Sequence, residues 1–258
     1  MSYFVNVWKN RFIIRNFVEQ DLKMRYRGSV LGILWSLLLP LGTTFVIAFV
    51  FATIWDSEIT SFVPYLFSGL TPWNFLMETL GAGTTAYIGA EGYIKQIPVD
   101  LEIFPVRVAA SAFVNMLFGL LAYFLVILVL NPVLLTWNTF MIIPALLYFF
   151  LLAIASTTIA AIANTYIRDY APMQTLILQT MFYLTPIIYD ISMMKERGLA
   201  FIYEFNPFYY FLQIMRDAMM GVPPQGGVWL IAIAILTGML TFALVMFNKT
   251  KKRIIFKL

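Results

Sequence analysis

The sequence predicts an all-α integral membrane fold, with six transmembrane helices, an N-terminal amphipathic interface helix and a re-entrant helical hairpin between the fifth and sixth spans. Three observations predict it. First, 61% of the 258 residues are hydrophobic and only 12% are charged, against about half apolar and about a quarter charged in a soluble domain. A core of this size cannot hide that excess, because much of any soluble fold's surface meets water. Second, the chain holds uncharged runs long enough to cross a bilayer, which takes about 20 apolar residues. Third, its lysines and arginines fall mostly on one side of those runs.

Between Arg27 and Asp56 lie 28 uncharged residues, which give a first span over 33–55. A second span over 62–89 carries one charge, Glu78. From 108 to 167 there are 60 residues without a charge. A single helix of that length, at about 1.5 Å per residue, would reach about 90 Å, roughly three times the hydrocarbon thickness. The run must fold back, and Asn131-Pro132 through Trp137-Asn138 supplies the turn. Spans three and four therefore cover 106–130 and 139–166. The fifth covers 170–189 and the sixth 228–247. Pro40 and Pro186 are each expected to kink their helix, either as a bend in a pore wall or as ordinary membrane-helix prolines.

Residues 1–28 mix Phe4, Trp8, Phe12 and Phe17 with Lys9, Arg11, Arg15, Lys23, Arg25 and Arg27. That many charges forbid spanning, and an aromatic, basic helix lying along the interface fits better. Residues 191–220 carry the break at Asn206-Pro207 and the apolar run 208–214. They are too apolar for a free loop and too broken for a span, so they read as short helices dipping back into the outer leaflet. Orientation follows from the basic residues. Of 17 lysines and arginines, only Lys195, Arg197 and Arg216 lie on the side of the hairpin. The remainder, N-terminal, C-terminal and at Lys95, Arg107 and Arg168, mark the cytoplasmic side, so both ends are expected there.

The composition also excludes chemistry. With no cysteine and no histidine, thiolate catalysis and the commonest metal ligand and general base are absent. No Gly-rich phosphate loop of the Gly-x-x-x-x-Gly-Lys-Ser/Thr type occurs, so any ATP that drives the protein binds another polypeptide. Arg168-Asp169 is the only adjacent charged pair at a span end and suits structure better than catalysis. An ion-coupled transporter would show more intramembrane acids or an internal repeat. Glu78 is the one acid well inside a span. It is either a functional carboxylate or, the preferred reading, a group paired across helices or facing water.

The segment 91–107, EGYIKQIPVDLEIFPVR, is polar, lies on the cytoplasmic side and is punctuated by Pro98 and Pro105. It is either a loop or a small helix that presses on a partner. Aromatics make up 17% of the chain. Most belong at the lipid interface, and a subset facing a pore would offer sugars flat faces and hydroxyls.

Several motifs in order resemble the membrane subunit of type-2 ABC exporters, above all the Wzm-like permeases for O-antigen, capsular or teichoic acid polysaccharides. Asp21-Leu22-Lys23-Met24-Arg25-Tyr26-Arg27-Gly28-Ser29-Val30-Leu31-Gly32, then Leu34-Trp35 and Pro40, is similar to the family's approach to its first span. Lys95-Gln96-Ile97-Pro98 with Pro105 resembles its cytoplasmic coupling helix, although Ile97-Pro98-Val99 replaces the usual Phe-Pro-Arg. Arg168-Asp169 and Tyr183-Leu184-Thr185-Pro186-Ile187-Ile188-Tyr189 resemble its fifth span. Asn206-Pro207 through Arg216 and Gly221 resemble its gate helices.

The resemblance implies a single transmembrane domain in the inner membrane, and a homodimer working with two copies of a cytosolic ABC ATPase. ATP and Mg would bind the ATPase and no cofactor this chain; a lipid-linked polysaccharide would be the cargo and nucleic acid plays no part. It implies a coupling segment over 91–104, with Tyr93, Ile94, Lys95, Gln96, Ile97 and Pro98 forming a short helix against the ATPase. It implies an outer gate over 191–220 with Asn206, Pro207 and Arg216, and a lipid-headgroup approach at Arg25 and Arg27. The first and fifth spans would line the channel. There the aromatic chemistry selects Trp35, Phe45 and Phe49 on the first and Phe182, Tyr183 and Tyr189 on the fifth. A type-2 permease exporting a drug or small lipid is the alternative.

Overall fold

A computed structural model describes residues 2–258, so Met1 of the expected interface helix lies outside the described residues. Among them the structure is all-helical, with no strand. Helix α1 (Ser2–Lys9) and helix α2 (Arg11–Arg25) replace one continuous N-terminal helix. The chain breaks at Asn10, whose side chain turns away to donate to Asp100 at 2.7 Å. Neither helix is a free surface element. Tyr3 and Ile14 are buried, and the Tyr3 hydroxyl meets Thr158 Oγ1 at 2.9 Å.

Among the described residues four helical stretches are long and apolar enough to cross a membrane: Gly32–Trp55, Ile103–Leu130, Trp137–Tyr166 and Gly226–Ile254. They contain α3 (Trp35–Trp55), α6 (Ile103–Leu130), α7 (Ile142–Tyr166) and α12 (Gly226–Ile254). Pro40 lies within α3 without ending it. Between α6 and α7 the expected reversal is two short 3₁₀ turns, Pro132–Leu134 and Trp137–Met141. The second opens with a capping box between Thr136 and Thr139.

The expected second and fifth spans fall on helices of a different character. Helix α4 (Ile59–Thr84) is the centre of the molecule and packs against α3, α6 and α7. Its polar residues Ser68, Thr71 and Thr79 are buried among neighbouring helices, which removes the need for an apolar surface towards lipid. Phe67 packs on Tyr123 of α6 and Phe75 on Phe149 of α7, with ring centroids 5.8 and 5.7 Å apart. Helix α8 (Tyr170–Leu184) is only 15 residues long. The kink expected at Pro186 is instead a stop. A residue before proline is driven to extended backbone, and Thr185 adopts φ −100°, ψ 134°.

Residues 191–220 hold three short helices rather than a pair: α9 (Ile191–Glu196), α10 (Ala200–Glu204) and α11 (Pro207–Met219). Asn206 caps α11 by accepting from the Phe208 amide at 2.9 Å, with Pro207 in the first helical turn. Helix α11 packs against α4, α7 and α12, and its residues 211–219 are all buried. The remaining helix, α5 (Glu91–Gln96), lies between α4 and α6 in sequence.

Candidate functional site

Beyond Leu184 the chain runs irregularly through 185–189, and its freed carbonyls are satisfied by side chains from other elements. Arg216 of α11 does most of this. Its Nη1 donates to the Pro186 carbonyl at 2.6 Å and its Nη2 to the Ile187 carbonyl at 3.0 Å. Nη1 also reaches the Tyr65 hydroxyl at 3.1 Å, and the guanidinium lies over the Tyr65 ring, 4.1 Å from its centroid. The Tyr65 hydroxyl donates to the Tyr189 carbonyl at 2.8 Å. Asn206 Nδ2 donates to Thr185 Oγ1 at 2.8 Å. Helix α4 makes room for the guanidinium at Gly69, where a Cβ would collide with Arg216 and stand 3.0 Å from the Ile187 carbonyl. Non-helical backbone is tolerated at membrane depth only when protein or water satisfies it, and here protein does so. Asn206 and Arg216 therefore meet at one place, the end of α8, while Pro207 is exposed.

Of the six candidate channel aromatics, Trp35, Phe45, Phe49 and Tyr183 are exposed. Phe45 and Phe49 are one helical turn apart on α3 and share a face. Phe182 is engaged against Trp73 of α4, with centroids 5.7 Å apart. Tyr189, past the helix end, donates its hydroxyl to the Tyr183 carbonyl at 2.8 Å. Helices α3 and α8 both pack against α4.

At the other end of α4 the N-terminal helices are latched across the start of α6. Arg107 donates through Nε to Asp21 at 2.7 Å and through Nη2 to its other oxygen, while Ser111 donates to Asp21 at 3.0 Å. Arg107 also lies 4.7 Å over the Phe17 ring. Arg25 pairs with Glu78, which accepts from Asn115 Nδ2 at 2.7 Å. Glu78 is thus paired across helices, as preferred from the sequence. Arg27 is exposed.

The coupling residues do not form a helix as far as Pro98. Helix α5 stops at Gln96, and Ile97 before the proline is extended at φ −131°, ψ 137°. Ile94 is buried and roots the segment, whereas Tyr93, Lys95, Gln96, Ile97 and Pro98 are exposed. Lys95 bonds Glu91 at 2.6 Å, and this hydrogen bond holds the Glu91 carboxyl below its ordinary range.

The sequence reading missed Tyr65, Gly69, Asp21–Arg107 as a pair, and Asn115. In the sequence Arg107 is one basic residue of a polar connection and Tyr65 one aromatic among many. Their partners lie 86 and 151 residues away in sequence, so no local pattern marks them.

Several membrane-length apolar helices packed around a polar central one are the build of a polytopic membrane protein. Over residues 14–220 the chain matches the family described as ABC-2 type transporter. It belongs to that family and is a multi-pass membrane protein, and membership implies an ABC ATPase partner. Among curated proteins it is similar to the O-antigen export system permease protein RfbA of Myxococcus xanthus, 26% identical over 202 residues, covering 78% of this chain and 77% of that protein. Two proteins of the same description from Klebsiella pneumoniae are each 27% identical. One aligns over 206 residues, 78% of either chain. The other aligns over 242 residues, 91% of this chain and 90% of its own. The resemblance drawn from the motifs is borne out.

Proposed function

We propose that this chain is the membrane-channel subunit of an ATP-driven exporter that moves a lipid-linked polysaccharide across the inner membrane. The observation that carries the proposal is the alignment, over 91% of the chain, with a protein described as an O-antigen export permease. In this reading α4 and α8 complete six spans with α3, α6, α7 and α12. Both termini face the cytoplasm, with the basic side of the chain. Two copies of the subunit and two of the ATPase form the working unit, and ATP and Mg bind the ATPase. The exposed surface of α5 and of Ile97-Pro98 docks into a cleft of that ATPase. Helices α9 to α11 narrow the outer mouth. Arg27, exposed beside the paired Arg25, meets the anionic headgroup of the arriving lipid.

The exposed rings of α3 and α8 support the cargo assignment. A moving polymer needs many weak contacts, because tight binding would stop conduction, and uncharged ring faces suit a neutral sugar chain. The test is deletion of the chain in its host with surface polysaccharide measured. Loss of the polymer, restored by the intact chain and accompanied by cytoplasmic accumulation of lipid-linked polymer, is the expected result. Normal surface polysaccharide in the deletion strain would overturn the proposal.

A further inference from the structure

Two clefts share the Arg25–Glu78 pair as a common wall. The smaller has a volume of about 160 Å³ and is bounded by Trp35 of α3, Thr71 and Asn74 of α4, and Asn115 of α6. At about 30 Å³ per water molecule it has room for about five waters, or for one group bearing several hydroxyls.

Its polar atoms are not all used within the protein. Asn115 Nδ2 donates to Glu78, which fixes the amide's orientation, since the reverse would set its oxygen against a carboxylate. The Asn115 oxygen is then buried without a partner, and so is Thr71 Oγ1. Thr71 as a whole is only 6% exposed. Two such atoms at one cleft call for a ligand that satisfies them, because buried polar groups are nearly always hydrogen-bonded.

Charge selects the class of ligand. Arg25 is neutralised by Glu78, and Arg107, on the wall of the larger cleft, by Asp21. A phosphate only accepts hydrogen bonds and would face the Glu78 carboxylate and the Asn115 oxygen, both acceptors. A hydroxyl donates and accepts, matching the amide oxygen and the threonine hydroxyl together. Trp35 spends its indole N–H on Ser29 Oγ at 3.1 Å, which leaves its ring face for an apolar sugar face.

From these atoms we propose that the cleft binds a neutral sugar unit carried on a lipid, held by Thr71, Asn74 and Asn115 with its ring against Trp35. The assignment rests on the export reading and divides the cargo, with the sugar in the cleft and the anionic headgroup outside it.

The test uses the full chain in lipid nanodiscs with two photoreactive probes of equal chain length, dodecyl glucoside and dodecyl phosphate, each carrying a diazirine next to its head. Labelled peptides are mapped by mass spectrometry. The glucoside should label the stretch of α4 holding Thr71 and Asn74 and that of α6 holding Asn115, and the phosphate probe should leave both unlabelled. Thr71→Val, which keeps the side-chain shape, and Asn74→Ala, at an exposed position, should each lower the labelling about fivefold, the effect of one lost hydrogen bond. Equal labelling by both probes, no labelling of the cleft, or labelling unchanged in both variants would overturn the assignment. Surface polysaccharide in cells reports on the export reading separately. Normal export with an unlabelled cleft sinks the sugar site alone.

Discussion

Arg216 shows how one side chain repairs a broken helix. Proline at 186 ends α8 and frees carbonyls, and the guanidinium answers two of them from a position 4% exposed. Arg216→Met should leave both carbonyls unsatisfied, at about 1–3 kcal/mol for each buried group. The expected result is a lower thermal midpoint of the purified subunit and new protease cleavage within 185–190. Arg216→Lys should not restore the midpoint, because an ammonium cannot span two carbonyls as a planar fork does. An unchanged midpoint in the Met variant would refute the clamp. Gly69→Ala should act in the same direction by pushing on the same guanidinium. Gly81→Ala in the same helix meets open space and should be neutral or slightly stabilising, since alanine is the better helix former; equal losses in both would assign the effect to the helix rather than to Arg216. The Asn206 cap, set just before Pro207, follows from local rules that the sequence displays. The partners of Arg216 do not, because Tyr65 and Gly69 approach it only once α4 and α11 have packed.

At the scale of elements, the long apolar helices were legible because lipid imposes length and hydrophobicity directly on the sequence. Boundaries next to proline were not. The expected helix over 170–189 ends at Leu184 and the expected helix over 93–98 ends at Gln96, in each case beside a residue preceding proline. The expected interface helix is divided at Asn10 because Asn6 and Asn10 reach Glu102 and Asp100. These bonds fasten α1 and α2 to the stretch that joins α5 to α6. With Asp21–Arg107 they join this stretch, the N-terminal helices and α6 in one contiguous chain of polar contacts. Two of the three ion pairs of α2 should differ in weight. Arg15–Glu19 is an i,i+4 pair with side chains 75% and 46% exposed, whereas Arg107 and Asp21 are 23% and 25% exposed with two bonds between them. A double-mutant cycle on Asp21 and Arg107, read from thermal unfolding, should give a coupling of about 1–3 kcal/mol. The same cycle on Arg15 and Glu19 should give about 0.3–0.5 kcal/mol. Equal coupling energies would mean that α2 is held by something other than this latch.

For the whole molecule, the polar centre and the exposed rings have to be accounted for together. Helix α4 buries Ser68, Thr71 and Thr79 against its neighbours, and α3 and α8, which flank it, present large rings to the surroundings. In a monomer those rings meet lipid; in the proposed dimer some of them face the cargo. The structure separates the six aromatic candidates by what they already touch. Phe49 and Tyr183 are 66% and 72% exposed, whereas Phe182 is held between Trp73 and Tyr183 at centroid distances of 5.7 and 5.3 Å. Removing a packed aromatic costs about 3–5 kcal/mol when it is fully buried, and a half-buried one proportionately less, so Phe182→Ala should act first on stability. Phe49→Ala and Tyr183→Ala strip surface rings and should leave folding nearly untouched. Surface polysaccharide normalised to subunit abundance distinguishes the two effects. Phe49→Ala and Tyr183→Ala should lower export at normal abundance, and Phe182→Ala should lower abundance and export together. If both exposed-ring variants export normally at normal abundance, these rings face lipid, and the channel wall must be sought on α4 between them.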